Sequence, residues 1–210
     1  MIRILLVDDH AVVRSGYQRF LQRHPDLNVV AEAGHADDAY TAYGQHLPDV
    51  AVVDLSMAGV GGLELIRRLV ERHSSARTLV FSMHDDPLFV TRALQAGACG
   101  YVTKGSEPDV LVQAVRAVHA GQRFFSADVL PHAAGICPTL TPLSELSAKE
   151  FEVFRLLAQG LASSDVAQSM HLSPKTVANY KTQIKDKLGA ATTAKLVHIA
   201  WRHGVLATPL

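Results

Sequence analysis

Two short apolar segments of the chain each end in acidic residues, and this pattern restricts the possible folds more than any other feature. Residues 4–7 and 50–53 contain only Ala, Ile, Leu and Val, and they are followed by Asp8, Asp9 and Asp54. Short apolar runs bounded by polar residues are typical of strands in a parallel sheet covered by helices. Functional sites of such sheets lie at the carboxyl ends of the strands. The sequence therefore predicts three carboxylates at one edge of a buried sheet.

Two interpretations of these carboxylates are open. Like charges repel strongly at low dielectric constant, so three clustered acids would be stabilised by a hard cation such as Mg2+. Alternatively, Asp8 and Asp9 cap a helix that begins near Ala11, and Asp54 caps a loop. The pattern of residues alone does not decide between the two.

Strand patterns and helix patterns alternate through the first 120 residues. Five apolar runs and five amphipathic segments in strict alternation are typical of a doubly wound α/β domain. A site between the first and third strands fits the flavodoxin-like strand order. We therefore expect a flavodoxin-like five-stranded parallel sheet, with strands near residues 2–7, 28–33, 49–53, 78–82 and 100–103.

Glycine and proline interrupt this alternation after residue 120. They recur with little periodicity at Gly121, Pro131, Gly135, Pro138 and Pro142. Such a composition is typical of a linker. We therefore divide the chain into a first domain at 1–120, a linker at 121–143 and a second domain at 144–210.

The second domain shows four helical patterns and no strand pattern. Ser147 and Glu150 have the spacing of a capping box at the start of the first helix, and Ser163 or Ser164 can cap the second. Ser173 precedes a proline, which predicts the start of a third helix. A small all-α four-helix domain is expected.

The composition excludes several classes of protein. The two cysteines, Cys99 and Cys137, lack paired spacing, which argues against a disulfide or zinc framework. Apolar stretches fall far short of the roughly 18 residues of a membrane span. A strand pattern begins within the first residues and leaves no room for a secretory signal. We therefore expect a globular protein in the cytoplasm with no membrane partner.

Polar residues also follow the fourth and fifth predicted strands. Ser82 ends one apolar run and Lys104 follows another. A lysine can pair with a carboxylate or hold an oxyanion, and a serine hydroxyl can donate to a phosphoryl oxygen. Mg2+, a carboxylate nucleophile, a lysine and a hydroxyl are what phosphoryl transfer onto an aspartate requires, and Asp54 is the expected acceptor.

This set of residues resembles the receiver domain of two-component response regulators. The resemblance spans residues 1 to about 120 and is carried by Asp8, Asp9, Asp54, Gly62, Ser82, Tyr101 and Lys104. It implies that Asp54 accepts a phosphoryl group from a sensor histidine kinase and that Lys104 holds an oxygen of the acyl phosphate. It also implies that Ser82 contacts the phosphoryl group and that Tyr101 moves inward with it. No turnover of an external substrate is implied.

The same resemblance implies a magnesium site. Asp9, Asp54 and the backbone carbonyl of Ser56 would bind Mg2+ directly, and Asp8 would assist through water. The family commonly has proline where this chain has Ala58. A loop without that proline is expected to change the lifetime of the phosphate.

The third helical pattern of the second domain suggests a DNA-reading helix. Val177, Ile184 and Leu188 recur at helical spacing and should face the core. Side chains that can bond phosphates or base edges then face outward, namely Lys175, Thr176, Ala178, Asn179, Lys181, Thr182 and Lys185. The four lysines and one aspartate of residues 174–188 give a local charge of +3. An ordinary amphipathic surface helix has a similar composition.

Residues 146–206 look like the LuxR-type DNA-binding domain. The similarity lies in the motifs LSAKEFEVFRLLAQGLASSDVAQSM, LSPKTVANYKTQIKDKLGA and LVHIAWRHGVL. It implies a helix-turn-helix whose third helix enters the major groove and whose fourth helix often contributes to dimerisation. After a receiver domain, such a module makes the chain similar to NarL/FixJ-type regulators. The expected function is phosphorylation-dependent binding of a homodimer to double-stranded promoter DNA.

Three other functions are weighed against this one. A phosphatase of the haloacid dehalogenase type needs an acid two residues after its nucleophile, where this chain has Ser56. A nucleotide-binding oxidoreductase needs a glycine fingerprint that the glycines at 59–62 do not match. A regulator that works without phosphate keeps the same fold, but the complete set of acids argues against it.

Overall fold

The computed structural model describes residues 1–57, 60–131, 142–203 and 205–206. The chain divides into two compact units, Met1–Ile136 and Cys137–Leu210. Residues 132–141 of the predicted linker, as well as Ala58, lie outside the described residues. The domain and linker boundaries expected from the sequence stay predictions.

The first unit is an α/β domain, as the alternation of patterns predicts. Its elements are β1 (Ile2–Val7), α1 (Ala11–Leu21), β2 (Leu27–Ala33), α2 (Ala36–His46), β3 (Val50–Val53), α3 (Gly62–Arg72), β4 (Thr78–Ser82), α4 (Pro87–Gln95), β5 (Gly100–Thr103), α5 (Pro108–His119) and β6 (Phe124–Phe125). All strand pairs are parallel, and the order across the sheet is β2-β1-β3-β4-β5-β6.

The strand count differs from the expected five, because the described part of the chain contains a sixth strand. In β6, Phe124 pairs with Gly100 and Phe125 with Tyr101 of β5. Two residues are too few to show a period-two pattern, and they lie in a segment whose glycine and proline content predicted a linker. The first five strands keep the flavodoxin-like order, so the correction adds an edge strand without moving the strand ends that carry the predicted site.

The sheet is buried on both faces, which explains its continuous apolar runs. Alternate strand residues face opposite sides of a sheet, and both sets are buried throughout β3 and, apart from Arg3, in β1. One face packs with α1 and α5 in a core that includes Ile4, Leu6, Leu21, Val52, Leu79, Phe81, Val102, Leu111, Val115 and Val118. A core of this kind holds the strand ends rigidly in place.

The second unit is helical in its described residues. A 3-10 turn at Pro142–Glu145 precedes α6 (Ala148–Ala158), α7 (Ser163–Ser169), α8 (Pro174–Lys187) and α9 (Thr193–Arg202).

Two of the predicted helix starts in this unit are confirmed. The Ser147 hydroxyl accepts from the Glu150 N–H at 3.2 Å, and the Glu150 carboxylate accepts from the Ser147 N–H at 2.7 Å. Ser173 accepts from the Thr176 N–H at 3.1 Å. The predicted cap at Ser163 or Ser164 is wrong, because α7 begins at Ser163 and its N-cap residue is Ala162, whose side chain has no acceptor.

An ion pair joins the end of α8 to the capping box of α6. Lys187 Nζ lies 2.7 Å from Glu150 Oε2 and 3.3 Å from the Glu145 carbonyl oxygen. Burial of Glu150 opposes its charged form, but hydrogen bonds from Lys187 and Ser147 outweigh burial and lower the pKa of this carboxyl. The pair therefore stabilises the second unit only while Glu150 is ionised.

Replacing Lys187 by Met should destabilise the second unit by about 0.5–1 kcal/mol near neutral pH, because a partly exposed pair is lost. The folded-state pKa of Glu150 lies below its unfolded value of about 4.3. The stabilisation is thus present above that value and is lost as the pH falls through the folded-state pKa. Urea unfolding at neutral and acid pH, followed by the fluorescence of Trp201, the single tryptophan, measures the difference. Lys195→Met in α9 is the control, and a deficit that does not shrink in acid would contradict the prediction.

Candidate functional site

Backbone hydrogen bonds bring the predicted site residues to one edge of the sheet. The Asp54 N–H donates to the Val7 carbonyl at 2.9 Å, and the Lys104 N–H donates to the Ser82 carbonyl at 2.8 Å. The parallel ladder thus continues one residue beyond the strands. Asp8, Asp54 and Lys104 consequently lie at the carboxyl ends of β1, β3 and β5, where the sequence places them.

The side chain of Lys104 joins two of the predicted acids. Its Nζ lies 2.7 Å from Asp8 Oδ2 and 2.8 Å from Asp54 Oδ2. The side chains of Asp8, Asp54 and Lys104 are only 3%, 2% and 9% exposed. Burial opposes the charge on Lys104, but the hydrogen bonds to Asp54 and Asp8 outweigh burial and raise the pKa of Lys104. The lysine is therefore a cation held between two carboxylates.

The acids also form a cluster that suits a metal ion. One ligand atom from each of Asp8, Asp9, His10 and Asp54 lies within 4.8 Å of the others. Carboxylate oxygens are the ligands that Mg2+ prefers in proteins. The three predicted acids thus fit the metal that the sequence predicted.

Two residues at the rim of this cluster were missed in the sequence. His10 Nδ1 lies 2.8 Å from Asp9 Oδ1, and Arg14 donates to the Asp8 carbonyl oxygen. His10 follows the two acids directly, which was a usable signal. Arg14 lies within α1, and nothing in its spacing pointed to this contact.

The alternative interpretation, in which Asp8 and Asp9 cap α1 and Asp54 caps a loop, holds only for the loop, because the N-cap residue of α1 is His10. Asp8 Oδ1 accepts from the His10 N–H at 2.8 Å, and Asp54 Oδ1 accepts from the Ser56 N–H at 3.1 Å. The side chain of His10, the N-cap residue of α1, makes no cap hydrogen bond. Asp8 and Asp54 each use one carboxylate oxygen for a local turn and the other to bond Lys104. Capping therefore does not explain why both acids bond the lysine.

Gly62 is required by its contact with the acceptor strand. A Cβ atom on Gly62 would lie 2.1 Å from the Asp54 carbonyl oxygen. A side chain at this position would therefore have to displace the backbone of Asp54. The close approach explains why glycine begins α3, eight residues after the expected acceptor.

Ser82, at the carboxyl end of β4, and Tyr101, in β5, are fully buried. The Ser82 hydroxyl accepts from the His84 N–H at 3.4 Å, and the Tyr101 hydroxyl donates to the His84 carbonyl at 2.7 Å. Burial raises the pKa of Tyr101, so its hydroxyl stays neutral. The His84 ring stacks on Phe89 at a centroid distance of 4.0 Å. Tyr101 thus occupies the inward position, and its expected movement stays a prediction.

The predicted DNA-contacting residues lie on α8. Val177, Ile184 and Leu188 are buried, which confirms the predicted core face. Four of the seven outward candidates are exposed, namely Lys175, Ala178, Asn179 and Thr182. The other three, Thr176, Lys181 and Lys185, are half-buried.

Three of these seven side chains make hydrogen bonds within the protein. Thr176 bonds the Ser173 hydroxyl at 2.8 Å, Thr182 donates to the Ala178 carbonyl at 3.1 Å, and Lys185 donates to the Ala191 carbonyl at 3.2 Å. The amino-terminal half of α8 therefore offers the most accessible set for a groove.

No helix in the described part of the chain combines the length and the apolar character needed to cross a bilayer.

Comparisons with known proteins agree with both units. The response regulator receiver domain matches residues 4–116, and the family of bacterial regulatory proteins of the luxR type matches residues 144–200. The chain is 34% identical over 209 residues to the response regulator UvrY of Escherichia coli, covering 98% of this chain and 96% of UvrY.

Solved structures of RcsB show the same architecture. RcsB of Salmonella enterica bound to promoter DNA with the phosphomimetic BeF3- is 25% identical, with a TM-score of 0.69 over 94% of this chain and 97% of that one. A structure of two RcsB dimers bound to two parallel DNAs is 27% identical, with a TM-score of 0.61 over 95% of this chain and 98% of that one. The chain therefore belongs to the response regulators that join a receiver domain to a LuxR-type DNA-binding domain and act as transcription regulators.

Proposed function

We propose that Asp54 accepts a phosphoryl group from a sensor histidine kinase and that this transfer sets the occupancy of promoter DNA by α8. The observation that carries the proposal is the buried ammonium of Lys104, which bonds Asp54 and Asp8 at the same time. A buried aspartate beside a fixed cation is suited to receive a charged group, because phosphoryl transfer depends mainly on positioning and charge neutralisation.

In the proposed transfer, a bond forms between a carboxylate oxygen of Asp54 and phosphorus. The bond between phosphorus and the phosphohistidine nitrogen of the kinase breaks, and that nitrogen keeps the electron pair. An ammonium carries three donors, so Lys104 can bond a phosphoryl oxygen as well as its carboxylates. The buried hydroxyl of Ser82 can donate to a second oxygen.

Asp8, Asp9 and Asp54, with the backbone carbonyl of Ser56, would hold Mg2+. Bound there, Mg2+ would neutralise the remaining acid charge and bind phosphoryl oxygens. The support in this chain is the close grouping of the carboxylate oxygens. Without that neutralisation, the acids would repel an incoming phosphoryl group.

The proposed DNA complex is a homodimer on promoter DNA, with Lys175 and Asn179 of α8 at the groove. RcsB, which shares both domains, binds DNA as dimers. The proposed partners are thus a sensor kinase and double-stranded DNA, and the proposed location is the cytoplasm.

Asp54 is expected to carry all the phosphoryl uptake. Incubation with acetyl phosphate and Mg2+ should add one phosphoryl mass to the unsubstituted protein but none to Asp54→Asn. The control is Asp109→Asn, which changes an exposed acid of α5 and should also gain one phosphoryl mass. Phosphorylation should tighten DNA binding at fixed salt by about tenfold, a coupling free energy of about 1.4 kcal/mol. Intact mass and fluorescence anisotropy measure the two effects. Uptake by Asp54→Asn would contradict the assignment, and DNA binding indifferent to phosphate would favour a regulator that works without it.

Two substitutions in α8 should separate phosphate contacts from base contacts. Lys175→Ala should weaken binding to every DNA sequence and lower the salt slope by about one unit, because one phosphate contact is lost. Asn179→Ala should cost about 1–3 kcal/mol on the specific site and little on other DNA. Lys149→Ala, which removes an exposed lysine of α6, is the control. If Asn179→Ala loses as much affinity for unrelated DNA as for the specific site, Asn179 does not read bases.

A further inference from the structure

The segment that follows α5 is built onto the strand that leads to Lys104. Residues 124–129, named here the anchor segment, begin with β6, which pairs with Gly100 and Tyr101 of β5. Beyond β6, the Ser126 N–H donates to the Tyr101 carbonyl at 3.0 Å. The anchor segment ends at Val129, whose side chain is fully buried. It is therefore part of the packed domain.

Thr103, the residue before Lys104, is held by the anchor segment at two atoms. Its N–H donates to the Ser126 hydroxyl at 3.3 Å, and its hydroxyl donates to Asp128 Oδ2 at 2.5 Å. The single hydroxyl proton of Thr103 points to Asp128, so Ser106, 3.0 Å away, must donate to Thr103. Asp128 is exposed. Its partial desolvation opposes the charged form, but hydrogen bonds from Ser126 and Thr103 outweigh this effect and lower the pKa of Asp128. The bond between Thr103 and Asp128 is therefore charge-assisted, although water at the exposed carboxylate screens it in part.

A glycine in β5 permits this attachment. A Cβ atom on Gly100 would lie 2.7 Å from the Phe124 carbonyl oxygen. Real Cβ atoms do not approach backbone oxygen so closely, so any larger residue would displace β6. The missing side chain at Gly100 of β5 thus lets the anchor segment pair with this strand.

We propose that the anchor segment positions the end of β5 and carries the phosphorylation state of Asp54 into the chain beyond residue 131. The inference rests on the proposed function. A phosphoryl group adds charge beside Lys104 and gives its ammonium new partners. Thr103 is joined to Lys104 by one peptide bond, so a shift of Lys104 strains the bonds to Ser126 and Asp128.

The coupling must act in both directions. If phosphorylation changes the anchor segment, then loss of the anchor segment changes the energetics of phosphorylation by the same amount. A segment that only covers the edge of β5 would contribute to stability without this reciprocal effect. The two roles therefore differ in a measurable way.

The test compares Asp128→Ala, which removes the acceptor for Thr103, with Asp128→Asn, which keeps an amide oxygen in its place. Each full-length protein is treated with acetyl phosphate and Mg2+, and phosphoryl uptake and DNA affinity are measured. We expect Asp128→Ala to take up phosphate but to lose most of the phosphate-dependent gain in DNA affinity. Asp128→Asn should retain most of that gain.

If phosphorylation tightens DNA binding by Asp128→Ala as much as it does for the unsubstituted protein, the inference is overturned and the proposed function stays intact. If the unsubstituted protein takes up no phosphoryl group, the proposed function and this inference both fail. Intact mass distinguishes this outcome from the first. If Asp128→Ala does not fold, hydrogen exchange on the unsubstituted protein, with and without phosphorylation, tests the inference instead. The amides of Ser126, Val129 and Leu130, which donate within this region, should change their exchange rates on phosphorylation by at least about threefold. Unchanged rates would overturn the inference.

Discussion

The receiver unit depends on one buried cation placed between two buried carboxylates. Lys104 meets Asp8 and Asp54 in a place that is nearly closed to water. Leaving one member of such a group without its partner costs about 3–5 kcal/mol, because the remaining charge is buried and unpaired. With Asp9, three carboxylates face one ammonium, so two negative charges remain. A divalent cation would match that remainder, and the phosphoryl group of the proposed function would change the same balance of charge.

The topology of the sheet explains why a lysine fills this role. Strand β4 lies between β3 and β5, and with about 4.8 Å between neighbouring strands the ends of β3 and β5 are roughly 10 Å apart. A long side chain must cross the end of β4 to reach Asp54. Ser82, which ends β4, is small, and Lys104 Nζ lies 6.0 Å from the centre of the Phe81 ring. The interaction therefore links three strands that are distant in the sequence.

The sequence predicted those parts of the fold that depend on local pattern. The apolar runs placed β1, β3, β4 and β5, and the polar residues after them placed Asp8, Asp54 and Lys104 at one edge. Strand β6 escaped prediction because two residues show no period, and its existence depends on the absence of a side chain at Gly100. Asp128 escaped because its partner, Thr103, is 25 positions away. Contacts of this kind have no local pattern, so the sequence alone does not reveal them.

The net charge of α8 overstates how many of its lysines can meet DNA phosphates. Residues 174–188 carry a net charge of +3, but Lys185 and Lys187 donate to groups within the protein. Fewer lysines are thus available for phosphates than the charge count suggests. Since each phosphate contact adds a similar, salt-dependent increment to affinity, one such unit should bind DNA weakly by itself. Weak binding by one unit fits the proposed homodimer, because occupancy would then depend on bringing two units together on adjacent half-sites.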